Sequence, residues 1–256
     1  MDIHKPHAAK NWREFLIEIG TIVVGILIAL GLEQVIETIH WHNEVKEAEA
    51  AIDAEILTNV GYSYVEAADF NCVESQLDRI GAALTANRDH GQPVPIMPAF
   101  RRPLIPFLDD AWRATLASGV ANHIPRDKLA AYSGIYLLTN QLRDNAEPHD
   151  FDAMDRLNTL TVNAGRLQPA ERDRLFQALV FERRNVLQGT FTAVFAIDLA
   201  KQSLGITFSP KRKAELAAAE MVKNLGKCVH EPMSLQEMRA MFGSNYGRGG
   251  PLVQPE

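Results

Sequence analysis

Apolar positions are distributed along this chain in two ways. Between Phe15 and Leu32 they are nearly continuous: Glu18 is the single charge in those eighteen residues, and the fourteen from Ile19 onward carry none. Farther along they recur at steps of three and four, the signature of helices with one buried face. Val45, Ala48, Ile52, Ile56 and Val60 form the first such stripe, and Val73, Leu77, Ile80 and Leu84 resume it. The spacing predicts one long amphipathic helix growing directly out of the apolar segment, with a kink near Gly61.

Proline then changes the pattern. Asn87 to Pro106 holds five of the chain's thirteen prolines (Pro93, Pro95, Pro98, Pro103 and Pro106), and proline stops a helix from continuing. Residues 87–107 therefore read as an extended connector. Two uses suit it: a strap packed along the helices, or a docking strip built on Arg101 and Arg102. Asp109 or Asp110 suits the cap of a following helix with Trp112, Leu116 and Val120 on one face, ended or bent at Ser118-Gly119.

Pro125 fits the first turn of another helix carrying Leu129, Tyr132, Tyr136 and Leu142. Phe151, Met154, Leu157 and Leu160 mark a further one. Pro169 opens a long helix whose apolar positions include Phe176, Val180, Leu187, Phe191 and Phe195. Ser209-Pro210 starts the next, and Ser234 to Phe242 a last short one. Strand alternation and hairpin signals are missing. The expected fold is all-α: an N-terminal transmembrane helix continuing into a long amphipathic helix, packed with several antiparallel helices as an extracytoplasmic bundle. The corresponding divisions are a cytoplasmic tail (1–14), an anchor (15–39), a helical domain (40–243) and a disordered tail (244–256) rich in glycine and proline.

Three readings compete for the opening segment. As a retained anchor it extends through Val35, Ile36 and Ile39. Trp12 and Trp41 then stand 29 residues apart, about 43 Å at 1.5 Å per residue. A bilayer with its headgroups measures about 40–45 Å, so the two tryptophans suit the interface belts. As a signal peptide, Ala29-Leu30-Gly31 supplies a small-x-small cleavage pattern. Against cleavage, helical periodicity runs on without a breaker into Glu33-Gln34-Val35-Ile36. A buried core helix is the third reading. The anchor fits best.

Charge sets its direction. Residues 1–14 carry Lys5, Lys10 and Arg13, whereas residues 33–74 carry ten acidic side chains and one basic one, Lys46. Basic flanks stay in the cytoplasm, which puts the amino terminus inside and the bulk outside: for a bacterium, an inner-membrane protein with a periplasmic domain. Thr21, Gly25 and Ala29 recur every four residues, and small residues at that spacing let helices approach closely. The same residues also suit an ordinary lipid-facing helix.

"NWREFLIEIGTIVVGILIALGLEQ" resembles the anchor of an uncharacterised family of single-pass bacterial membrane proteins. "WRATLASGVANHIPRDKLAAYSGIY" (Trp112 to Tyr136) resembles their middle segment. The resemblance implies topology, an N-terminal apolar anchor followed by an extracytoplasmic helical domain. It implies no reaction.

Net charge is -6, which argues against nucleic-acid binding. Two cysteines, Cys72 and Cys228, exclude multi-cysteine metal sites and leave one disulfide as an expectation in an oxidising compartment. His149-Asp150-Phe151-Asp152 with Asp155 is the best acid cluster. Neighbours at i and i+2 point apart on a helix, however, and acids early in a helix stabilise its positive end. The basic residues Arg172, Arg174, Arg183, Arg184 and Lys211-Arg212-Lys213 suit solvated faces that pair with the acidic first helix. No catalytic, cofactor or metal constellation emerges. The functional expectation is a membrane-anchored interaction module working with lipid and either another membrane protein or a second copy. The alternative is a bundle sensing a small molecule or anion and signalling through a partner.

Overall fold

The structure is a computed structural model that describes residues 12–144, 149–162, 165–217 and 230–242. Its long axis is set by α1 (Trp12–Ala68), 57 residues or about 85 Å at 1.5 Å per residue. Helix α2 (Phe70–His90) follows after a single non-helical residue, Asp69. Near Gly61, where a kink is expected, α1 continues as helix without a break. Leu216 covers the glycine, lying 3.4 Å from where a Gly61 β-carbon would stand. The break falls at Asp69 instead, whose carbonyl accepts the Cys72 and Val73 amides as the first bonds of the new helix.

The core stripe of the first two helices is the one the spacing predicts. Ile52, Ile56, Val60, Val73, Leu77, Ile80 and Leu84 are all buried. Against them lies α6 (Pro169–Leu204), which also packs on α4 (Arg126–Asp144) and α5 (His149–Asn158). Along α6 the partners run backwards through α2 and α1: Arg183 pairs with Asp78, and Gly189 faces Glu66. Val180, expected on its buried face, is instead exposed; Leu179, Glu182 and Val186 hold that face. Among the described residues there is no strand, only an isolated bridge between Val94 and Gly165.

The connector begins later than 87, because α2 keeps its helix to His90 and ends on Gly91 at φ 62°. It runs to Asp109, where α3 (Asp110–Ser118) starts. Pro103, Ile105 and Phe107 are buried while Leu104, Pro106 and Leu108 are exposed. That alternation is what an extended backbone on an apolar surface produces. Lacking a strand partner, the connector is held by three side-chain amides. Asn59, Gln76 and Asn158 each accept the N–H and donate to the C=O of one residue, respectively Leu108, Arg101 and Phe100. It is therefore a strap, which answers buried backbone groups that proline-rich chain cannot pair with itself. Helices α7 (Pro210–Ala217) and α8 (Leu235–Phe242) complete the described chain. The tail 244–256 lies outside the described residues.

Candidate functional site

Two features stand apart from ordinary core: an uncovered apolar length of helix, and charges placed inside the domain. The first occupies α1 from Phe15 to Ile39. Every described side chain there is exposed, including Ile22, Val24, Leu27 and Ile36, and none of the apolar window is buried. Nothing approaches within 4 Å of a β-carbon built on Gly20, Gly25 or Gly31. The face formed by Thr21, Gly25 and Ala29 is thus open, with the Thr21 hydroxyl turned back to the Ile17 carbonyl at 2.8 Å. Monomeric soluble proteins rarely expose apolar area on this scale. By length and composition the segment is sufficient to cross a membrane.

The two tryptophans at its ends differ. Trp12 is 71% exposed, and its ring lies beside that of Phe15, with centroids 5.7 Å apart. Trp41 is half-buried and stacks on His123 at 3.9 Å, nearly parallel, while its indole N–H points to Glu37. His123 belongs to a short 3-10 turn, Val120–His123, from the far side of the strap. The domain therefore takes hold of α1 just where the uncovered stretch ends.

Within the domain, α1 presents Asp53, Glu55 and Asn59 to α3, α4 and the strap. Glu55 is the hub. Its carboxylate accepts the Tyr136 hydroxyl at 2.5 Å and the Ala111 and Trp112 amides at 3.0 and 3.4 Å. Asp109 occupies the N-cap position of α3 but makes no cap bond; it pairs with Arg143 at 2.8 Å. The helix start is capped from another helix by Glu55, an anion facing its positive end. Tyr132 donates to Asp53 at 2.7 Å, and Trp112 stacks on Tyr136. Burial first, then the hydrogen bond to a carboxylate, pushes both phenols well above the ordinary tyrosine range. Neither acts as a base at neutral pH; they lock the acids in place.

A second charged group sits at the α1–α2 break. Burial, then the Glu66 carboxylate, raises Asp69 well above its ordinary 3.8, against the pull of Arg102. Burial raises Glu66 too. Arg102 reaches down from the strap to Glu182 on α6 at 3.8 Å. Gly189 makes room here, since a β-carbon on it would stand 2.9 Å from Glu66 Oε1. An acid with a raised folded value binds its proton more tightly folded than unfolded. Its ionisation therefore subtracts stability as pH climbs from about 4 through that raised value. The expected result is that Asp69→Asn gains stability relative to wild type as pH rises from 4 to 8, in paired urea titrations. A difference that stays constant over that range contradicts this origin.

The residues singled out by pattern fare unevenly. The side chains of His149, Asp150 and Phe151 lie outside the described residues, while Asp152 is tied to Arg156 at 2.7 Å, an i,i+4 pair. Arg183 bridges Glu74 and Asp78 on α2, the acidic partner expected for that face. Cys72 is buried and disulfide-bonded. Cys228 lies outside the described residues, though His230, two positions on, donates its N–H to the Ala68 carbonyl beside the break. Titration of denatured, unreduced protein is expected to find no free thiol; two thiols per chain would contradict the bridge. Among the described residues no three His, Cys, Asp or Glu side chains converge as a metal site.

Comparison adds nothing to this geometry. No protein-family model, curated protein or solved structure matches the chain.

Proposed function

We propose that the chain is a single-pass inner-membrane protein of bacterial type, anchored by residues 15–39, with a periplasmic helical domain that docks a membrane partner. The observation carrying this reading is the abrupt change along one unbroken helix. Up to Ile39 its apolar residues have no cover; from Ile52 the same helix is core. Lipid is the cover that suits the first half, and basic residues before it against acidic residues after it orient it amino terminus inward.

Because α1 is continuous from anchor to core, a partner gripping either part is mechanically coupled to the other. The open Thr21/Gly25/Ala29 face is where helix pairing in the bilayer belongs, the partner being a second copy or another span. Leucine at Gly25 and Ala29 is expected to lower association about tenfold, measured by energy transfer between labelled chains in vesicles or by cross-linking to the co-purified partner. Unchanged association removes this face from the account while leaving the anchor standing.

A further inference from the structure

Helices α3 and α4 form a hairpin laid along α1, its arms joined by the Trp112–Tyr136 stack and the Arg143–Asp109 pair. At the open end the Glu55 carboxylate accepts the Ala111 and Trp112 amides, where α3 starts. At the closed end the turn Val120–His123 stacks His123 on Trp41 at 3.9 Å. Glu55 and Trp41 stand 14 residues apart on one helix, a rise of about 21 Å. Nine residues of α-helix and four of 3-10 helix span about the same length. The first arm therefore runs down α1, antiparallel to it. The second climbs back: Lys128 pairs with Glu49, Tyr132 bonds Asp53 and Tyr136 bonds Glu55. The tip of the hairpin points toward the uncovered end of α1.

That tip has a buried side and an open one. Val120, Ala121 and Ile124 are buried and fix it to the domain. Leu116, Ser118, Asn122, His123 and Arg126 are exposed, the leucine at 50%. Its height along α1 is set by Trp41, two residues past Ile39, where the uncovered stretch ends. Two residues are about 3 Å of rise, whereas the headgroup layer on each side of a bilayer is about 5–7 Å deep. Whatever the tilt of α1, a ring stacked on Trp41 stays in that layer. The exposed side chains suit it: Ser118, Asn122 and Arg126 offer donors to phosphate and ester oxygens, and Leu116 offers an apolar contact. Asp127 next to Arg126, and Glu44 on α1, offset the positive charge, which favours a zwitterionic headgroup over an anionic one.

We propose, on the reading of residues 15–39 as the anchor, that the tip of this hairpin rests in the headgroup layer of the outer leaflet. The domain is then seated directly on zwitterionic phospholipid and is not held off the membrane on a bare stalk. The opposite end of the domain stays clear of lipid. Helix α6 runs past α1 and then α2 in one line, from Ala200 in the cluster of Ile52 and Ile56 to Phe176 under Arg88. Gln92, just beyond α2, is exposed at that far end.

The test places a fluorophore on single introduced cysteines in the full chain, reconstituted in phosphatidylcholine nanodiscs. Cys72 is disulfide-bonded and the chain has one other cysteine, so the introduced thiol is the one that labels. The variants are Ser118→Cys and Asn122→Cys on the tip, Gln92→Cys at the far end and Leu27→Cys in the anchor, all at exposed positions. Quenchers are phosphatidylcholines carrying a nitroxide on the headgroup or on the acyl chain. The headgroup nitroxide is expected to lower the fluorescence of both tip labels about twofold and to leave the Gln92 label level. The acyl-chain nitroxide quenches the Leu27 label. Tip labels that behave like Gln92 while Leu27 is quenched overturn the seat and leave the anchor standing. An unquenched Leu27 overturns the anchor and the seat together. Equal quenching at Gln92 and the tip contradicts the hairpin as the point of contact.

Discussion

Arginine at both Val24 and Leu27 is expected to release the chain from membranes without unfolding its domain. Both side chains are more than half exposed and sit mid-way along the uncovered stretch. Each arginine costs about 2.5–3.5 kcal/mol at the centre of a spanning helix, so the pair subtracts roughly 5–7 kcal/mol from insertion. The same side chains contribute nothing to the core, which begins at Val45 and Ile52. The measurements are the fraction sedimenting with membranes and the thermal midpoint of whatever remains in solution. A double-arginine chain that stays with the membranes contradicts the anchor. Loss of the domain's cooperative transition instead marks the segment as buried core.

The second large effect is expected at Glu55. Alanine there leaves the Tyr136 hydroxyl and the first amides of α3 without their acceptor in the interior, and opens space beside the Trp112–Tyr136 stack. Unsatisfied buried donors cost about 1–3 kcal/mol each, which puts the loss at roughly 3–5 kcal/mol with partial relaxation. Glu55→Gln keeps an acceptor oxygen of the same reach and is expected to lose less than half as much. Urea unfolding followed by near-ultraviolet circular dichroism reads both the stability and the tryptophan stack. A loss below about 1 kcal/mol for Glu55→Ala contradicts the hub role.

What pattern reveals and what it hides follow from range. The three- and four-residue steps located the buried stripes of α1, α2 and α4, and proline marked the strap and the start of α6. These are local signals. The strap's partners are not local: Asn59, Gln76 and Asn158 are unremarkable polar residues until the fold lays Leu108, Arg101 and Phe100 against them. Glu55 was similarly hidden, one acid among ten between residues 33 and 74. The signal that singles it out is its place beside Ile52, Ile56 and Asn59, on the helix face that meets α3 and α4. Glu182 shows the same thing on α6, an acid at a core position next to Leu179 and Val186. Leu116 and Val180 failed in the opposite sense. Each falls on an apolar step but at the margin of the stripe, where neighbouring elements do not reach, and both are exposed.

The most direct test of the central claim, that one helix passes from lipid into the domain's core, is protease protection of a doubly tagged chain. One tag precedes residue 1, the other follows residue 256, and protease is added to spheroplasts after an alkaline wash of parallel membranes. The account predicts a chain that keeps both tags in the washed pellet, with the carboxyl-terminal tag digested from outside and the amino-terminal tag protected. A carboxyl-terminal tag recovered in the soluble fraction without its partner, or one that protease reaches only after lysis, contradicts it.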